Sequence, residues 1–217
     1  MPGPIDTTRF VHNAIVKEAD EIEAATNATT DATELAALAD RIEWFGYVVN
    51  KHTTGEEVGL FPPLAERRPS IADTYLFDHV DERALFPELT QLARDASTGK
   101  PDALARLQRQ SIALTEHLHA HVRKENELIF PLVNELFSPP EQGEMVGKMI
   151  ADLTPEDNVI AMPWIVRMND ADGAAVYVDA LSHVMPPPVF DMAKGWIRDG
   201  VSVERWTELT QRVPALG

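Results

Sequence analysis

Hydrophobic positions recur along most of the chain at intervals of three and four residues, the spacing of helices rather than strands. Four long apolar stripes predict four helices, over residues 7–26, 31–58, 72–97 and 102–136. Asp6-Thr7-Thr8 and Asp31 precede the first two stripes, where N-cap residues are expected. Four amphipathic helices with short connections are typical of an all-α, up-down-up-down four-helix bundle.

Prolines predict where these helices stop or bend. Pro62-Pro63 ends the second helix or breaks it close by, and Pro87 and Pro131 predict kinks in the third and fourth helices. Either Ser70 or Asp73 is expected to cap the third helix.

The chain after residue 138 is also helical in pattern, but its segments are shorter. Ser138-Pro139-Pro140 marks the boundary. The predicted short helices cover residues 141–151, 156–168, 171–185, 188–199 and 202–212. We therefore expect a bundle over residues 1–138 and a C-terminal extension of short helices, residues 139–217, packed on it.

Two stretches of the predicted bundle repeat each other. Residues 52–62 and 121–131 both read H-x-x-x-E and carry Phe-Pro at the same offset from the histidine. A single histidine precedes each stretch on the previous predicted helix, His12 in one case and His79 in the other. The bundle is thus interpreted as two helix pairs, each supplying one His and one H-x-x-x-E.

The spacing of this repeat points to metal binding. Residues four apart lie on one face of a helix, about 6 Å from each other, so an imidazole and a carboxylate can reach the same metal. Antiparallel packing brings all four histidines to one end of the bundle, and metal sites in bundles are built from inward residues of facing helices. The candidate metal ligands are His12, His52, Glu56, His79, His121 and Glu125.

The pattern H…H-x-x-x-E…H…H-x-x-x-E resembles the hemerythrin-like (HHE cation-binding) family over about residues 7–137. The resemblance implies a non-haem di-iron centre in a four-helix bundle, held by those six residues, with Glu56 and Glu125 bridging the two metals. It implies two iron ions and a bridging oxide or hydroxide. Imidazole and carboxylate ligands also admit manganese or zinc.

Four further residues are candidates for additional ligands or for groups that contact a ligand. His117 lies one turn before His121, and its alternative is a packed histidine bonded to a backbone carbonyl. A surface position is the more frequent alternative for Glu57 and Glu82, and core packing is the alternative for Tyr75. His119 points away from this face, so we expect it to be solvated.

The amino-acid composition excludes several kinds of site and disfavours several kinds of partner. The 217 residues contain no cysteine, which excludes disulfides, thiolate metal sites and cysteine nucleophiles. Acidic residues outnumber basic ones 35 to 19, and the net charge of −16 disfavours nucleic acid and anionic membrane partners. No apolar run approaches the ~20 residues that a bilayer needs. The first residues do not read as a secretory signal, so we expect a cytoplasmic location.

These features favour a di-iron protein that senses or detoxifies a small oxidant, such as dioxygen, peroxide or nitric oxide. Two alternatives stay open: an oxidase or oxygenase acting on a small organic substrate, and an iron- or oxygen-responsive interaction module. Whether the protein is an enzyme, and its oligomeric state, are left undecided by the sequence.

The extension has a weaker resemblance of its own. Met162-Pro163-Trp164-Ile165, Met185-Pro186-Pro187 and Gly195-Trp196 are similar to the segment that follows the hemerythrin domains of plant iron-sensing ubiquitin ligases. Ordinary core packing of tryptophan and methionine is the interpretation we favour for these residues.

Overall fold

The computed structural model describes residues 3–217, and every regular element in that range is helical, which confirms the all-α class. Short 3₁₀ turns cover Pro4–Thr7 and Pro214–Leu216, and one π-helical turn covers Glu125–Ile129. The α-helices are α1 (Thr8–Ala28), α2 (Ala32–Gly59), α3 (Phe61–Arg67), α4 (Asp73–Ser97), α5 (Ala103–Lys124), α6 (Phe130–Leu136), α7 (Pro139–Met149), α8 (Pro155–Met168), α9 (Ala171–Val184), α10 (Pro187–Gly200) and α11 (Val203–Arg212).

A side chain caps the N-terminus of α2, but no side chain caps the N-terminus of α4. Asp31 caps α2 as predicted, because its side chain accepts hydrogen bonds from the backbone N–H groups of Thr33 and Glu34. The cap predicted for α4 is wrong. The N-cap position is Ala72, since the chain turns through a left-handed Ser70 (φ 64°) and already enters the helix at Asp73.

The long fourth helix predicted over residues 102–136 is divided into three pieces. Pro131 lacks a backbone N–H and its ring crowds the preceding turn, so regular α-helical bonding cannot run through it. The helix instead passes through the π-helical turn, and α6 begins with Pro131 in its first turn. Pro62-Pro63 has the same effect on α2, where a short α3 follows the break.

The first of two compact units contains the described residues up to Ile5 together with Ile15–Ala151. Within it, α2 packs against α4 and α7, and α4 packs against α5. Phe45 and Phe86 meet edge to face in the α2–α4 contact, 5.3 Å between ring centroids. Arg41 ties α2 to the later part of α1 through the carboxylates of Glu18 and Glu21.

A buried apolar cluster lies within this unit. Both phenylalanines of the repeated Phe-Pro pairs, Phe61 and Phe130, belong to it, as do Tyr75 and Met145. The repeat therefore supplies core residues immediately after the polar H-x-x-x-E turns.

The second unit consists of Asp6–Ala14 and Asp152–Gly217. Asn169 ties its two segments together, because its side-chain amide donates to the Phe10 carbonyl while its oxygen accepts from Asn13. Trp164 is buried at 1 % exposure, in agreement with the interpretation of the tryptophan as a core anchor. No helix among residues 3–217 is long and apolar enough to cross a lipid bilayer.

Candidate metal centre

Four helical segments of the first unit carry the repeated polar residues. His52 and Glu56 lie one turn apart on α2, His79 lies on α4, His121 lies on α5, and Glu125 opens the π-helical turn. We call these five residues the His/Glu cluster. Glu56, His79 and Glu125 are 0 % exposed and His121 is 3 % exposed, so their polar atoms face the interior.

The cluster has the dimensions of a metal site. Glu56, His79, His121 and Glu125 each offer one ligand atom, and these four atoms lie within 4.8 Å of one another. His52, Glu56 and Glu125 also offer atoms within 4.8 Å of one another. Both carboxylates therefore belong to two sets of ligand atoms, which is the arrangement expected of carboxylates that bridge two ions.

Within the cluster, each histidine of the repeated motif lies close to the glutamate one turn later. His52 Nε2 is 3.3 Å from Glu56 Oε1, and His121 Nε2 is 3.5 Å from Glu125 Oε2. His79 Nε2 is 3.5 Å from the other oxygen of Glu56. The Nε2 atoms of His79 and His121 form no hydrogen bond within residues 3–217.

Electrostatics favour a cation at this place. Burial raises the pKa of Glu125 well above its ordinary value, and the neighbouring carboxylates of Glu56 and Glu82 raise it further. Several buried carboxylates are costly unless positive charge compensates them. The donor atoms are imidazole nitrogens and carboxylate oxygens without sulfur, which suits iron, manganese or zinc. The residues present thus fit a metal centre.

The histidine rings are oriented by carboxylates on their other nitrogens. His79 Nδ1 is 2.9 Å from Glu57 Oε1, and Arg83 donates to the same oxygen at 2.6 Å. His121 Nδ1 is 3.0 Å from Asp78 Oδ2, which also accepts from Lys124. A carboxylate on Nδ1 holds a histidine ring in place and leaves Nε2 available to a metal.

Asp78 itself is set up as an anion. Burial would raise the pKa of Asp78, but the bonds from His121 and Lys124 outweigh it and lower the pKa to about 2. Sequence reasoning missed this role. The only available signal was the position of Asp78 beside His79, because the contact with α5 depends on how the helices pack.

The four additional candidates lie in different surroundings. Glu57 is partly exposed and contacts His79 as described. Tyr75 is buried and places its ring edge to face with that of His121, 6.2 Å between centroids. The Tyr75 hydroxyl donates to the Lys124 carbonyl at 3.4 Å. Burial, with the charges of Glu125 and Asp78, raises the pKa of Tyr75 to about 12.

Glu82 and His117 form a pair at the edge of the cluster. Glu82 is buried, at 2 % exposure, rather than at the surface. His117 Nε2 lies 3.3 Å from Glu82 Oε1, and the same oxygen is 4.0 Å from His121 Nδ1. The Glu82 carboxylate raises the pKa of His117 against the opposing effect of burial. The ring of His117 stacks parallel to that of His121, 6.5 Å between centroids.

Two further histidines are described separately from these five residues. His12 is 0 % exposed on the first turns of α1, and its service as a ligand stays a prediction. His119 is exposed, which confirms the predicted surface position, and its Nε2 lies 2.8 Å from Asp20 Oδ1.

The hemerythrin HHE cation-binding domain matches residues 3–133, more than half of the chain. The chain belongs to the hemerythrin family. The hemerythrin domain contains all six predicted ligands, and the buried His/Glu cluster described above agrees with cation binding.

This hemerythrin chain is also similar to zinc finger proteins of Arabidopsis thaliana. It is 26 % identical to zinc finger protein BRUTUS over 186 residues, covering 85 % of this chain and 15 % of the relative. A BRUTUS-like zinc finger protein is 26 % identical over 183 residues, covering 76 % of this chain and 14 % of the relative. The chain thus spans about one seventh of the length of these relatives. No solved structure matched the chain.

Proposed function

We propose that this protein holds two iron ions and uses them to bind or react with a small oxidant: dioxygen, peroxide or nitric oxide. The observation that carries the proposal is the His/Glu cluster, in which the buried carboxylates Glu56 and Glu125 belong to two overlapping sets of ligand atoms. His12, His52, Glu56, His79, His121 and Glu125 would hold the ions, in an up-down-up-down helical bundle, with an oxide or hydroxide between them. Iron bound there would supply redox chemistry toward such oxidants.

The protein's own residues would hold the histidine rings in place and keep water away from the ions. Glu57 and Asp78 orient the rings of His79 and His121, so that the Nε2 atoms face the cluster. Burial of the cluster excludes water, which strengthens the attraction between a cation and the carboxylates. We further propose a cytoplasmic protein. Its net charge of −16 argues against nucleic acid and anionic membranes as partners.

Metal analysis of the purified chain tests this proposal directly. Protein from iron-replete cells should contain about two iron ions per chain, and its optical spectrum should change on addition of peroxide. Substitution of either bridging glutamate should remove most of the iron. A wild-type content near zero would overturn the proposal.

Reaction with an organic substrate is a second candidate, and one observation favours it. A diatomic oxidant does not require a large cavity, yet a cavity of about 670 Å³ lies between α2 and α4 and is lined in part by Glu82. An iron-responsive interaction module is a third candidate. It predicts that chelation makes residues 139–217 more sensitive to protease.

A further inference from the structure

Arg83 lies beside the carboxylate that orients His79. Its Nη2 donates to Glu57 Oε1 at 2.6 Å, and the same oxygen is 2.9 Å from His79 Nδ1. A second bond, from Arg83 Nε to Asn50 Oδ1 at 3.0 Å, fixes the guanidinium against α2. One oxygen of Glu57 therefore contacts a histidine ring and a positive charge at the same time.

Lys124 has the same relation to the carboxylate that orients His121. Its ammonium donates to Asp78 Oδ2, and the same oxygen is 3.0 Å from His121 Nδ1. The ammonium also lies over the ring of Tyr75, 5.3 Å from the centroid. In both sets the cation follows the histidine by one turn of the same helix, and the carboxylate comes from a neighbouring helix.

The cations offset the charge of the orienting carboxylates. A carboxylate on Nδ1 makes the imidazole a stronger donor to a metal, and its negative charge favours the more highly charged state of a bound ion. A cation on the same oxygen opposes that charge while the oxygen still contacts the ring. Glu57 and Asp78 can therefore fix the rings without adding net negative charge beside the buried glutamates of the cluster.

We propose that Arg83 and Lys124 raise the reduction potential of the iron centre, so that its ferrous state is favoured. This role rests on the proposed function, since it requires iron bound by the His/Glu cluster. Both are positioning residues, which act through Glu57 and Asp78. Each side chain is 35 % exposed, so solvent weakens its field, and we expect each to change the ferric-to-ferrous ratio at a fixed potential by about ten-fold.

Replacing each cation by a neutral residue tests the proposal on full-length, iron-loaded protein. Arg83→Gln and Lys124→Met should each lower the potential by ~59 mV, the equivalent of a ten-fold change in that ratio. Spectroelectrochemical titration measures the potential, and iron content is measured on the same samples. Arg83→Lys and Lys124→Arg keep the charge and should have the potential of wild type.

Arg94→Gln and Arg106→Gln are the matched controls. Each removes one arginine that is ion-paired to a glutamate, the first on α4 and the second on α5. Arg94 lies about 16 Å beyond Arg83 along α4, and Arg106 lies about 27 Å before Lys124 along α5. Salt screens charges over ~8–10 Å, so both controls should keep the wild-type potential.

Zinc binding separates this charge effect from a purely structural role. If the cations only held the carboxylates in place, the neutral variants would bind Zn²⁺ more weakly than wild type. We expect Arg83→Gln and Lys124→Met to bind Zn²⁺ at least as tightly as wild type, because a positive charge near the ion has been removed. Competition with a chelator of known affinity measures this.

Three results would overturn the inference. They are an unchanged potential in neutral variants that hold two iron ions, an equal fall in the control variants, and loss of zinc or iron binding in the neutral variants. Each of these leaves the iron proposal standing for the wild-type protein. Wild-type protein that binds no iron would instead fail the proposed function, and this inference with it.

Discussion

The two H-x-x-x-E motifs carry the same residue types, but the backbone that follows each of them is different. After Glu56 the helix keeps α-helical bonding, and the N–H of Leu60 donates to the Glu56 carbonyl. After Glu125 the bonding shifts by one residue, and the N–H of Phe130 donates to the Glu125 carbonyl. The divergence begins only after the glutamate, so the four-residue spacing between histidine and carboxylate is preserved in both. Single π turns inside α-helices are often found at functional sites.

The surroundings of the two motifs differ as well. Gly55 and Gly59 pack directly on α7, where a Cβ on Gly59 would lie 2.6 Å from the backbone nitrogen of Met149. The residues at the same offsets in the second motif are Lys124 and Leu128, and Leu128 is 61 % exposed. Helix α7 therefore packs closely on the first motif at a position whose equivalent in the second motif is exposed. The comparison shows that two motifs with the same ligand residues can be followed by different backbone bonding and packed against different neighbours.

The largest effect is expected from removing the carboxylate of either motif. Glu56→Ala and Glu125→Ala should each reduce bound iron from about two ions to near zero, because each carboxylate belongs to both sets of ligand atoms. Metal analysis of the purified variants measures this. Retention of one ion by either variant would show that the two motifs act separately and that their carboxylates do not bridge.

The next effect separates the position that packs on α7 from the exposed equivalent position. Gly59→Ala should lower the free energy of unfolding by about 1–3 kcal/mol, because its methyl group cannot fit against the α7 backbone. Leu128→Ala, at the equivalent position, should change it by less than about 0.5 kcal/mol. Denaturant unfolding of both variants provides the values.

Gly147→Ala is the control for the glycine variant. Gly147 lies inside α7 with nothing within 4 Å of an added Cβ, so alanine should stabilise the helix by up to about 1 kcal/mol. A Gly59→Ala variant as stable as wild type would mean that α7 does not pack closely on α2.

The third prediction compares the carboxylates that contact the Nδ1 atoms of His79 and His121. Asp78→Asn and Glu57→Gln should each weaken metal binding by about 10–100-fold, because each removes the anion that holds a ring nitrogen. Competition with a chelator of known affinity measures the change. The two losses should be similar, and no loss in either variant would show that the rings are fixed by packing alone.

The smallest effect concerns pH and the start of α7. Bonds from the Ser138 side chain and backbone, together with Arg67, lower the pKa of Glu141 to about 2. A carboxyl whose folded-state pKa is depressed stabilises the fold above its unfolded pKa of about 4.5, and that stabilisation is lost as the pH falls toward 2. Glu141→Gln should therefore flatten the fall in stability between about pH 4.5 and 2. An identical pH profile in wild type and variant would contradict this.

Helix type, most helix bounds and the residue types of the candidate centre could be predicted from the sequence. Apolar periodicity and proline act over a few residues, so the range of α2 and the breaks near Pro62 and Pro131 are local properties. The H-x-x-x-E spacing is also local, because one helical turn separates its two residues.

Features that depend on contacts between helices could not be predicted from the local sequence pattern. The pairing of Asp78 with His121, the burial of Glu82 and the contact of Gly59 with Met149 each join residues far apart in the chain. The sequence by itself determined which helices form and which side chains can bind a metal. Only the tertiary structure decided which carboxylates orient the histidines, which carboxylate lines the cavity and where α7 packs, because helix packing selects those contacts.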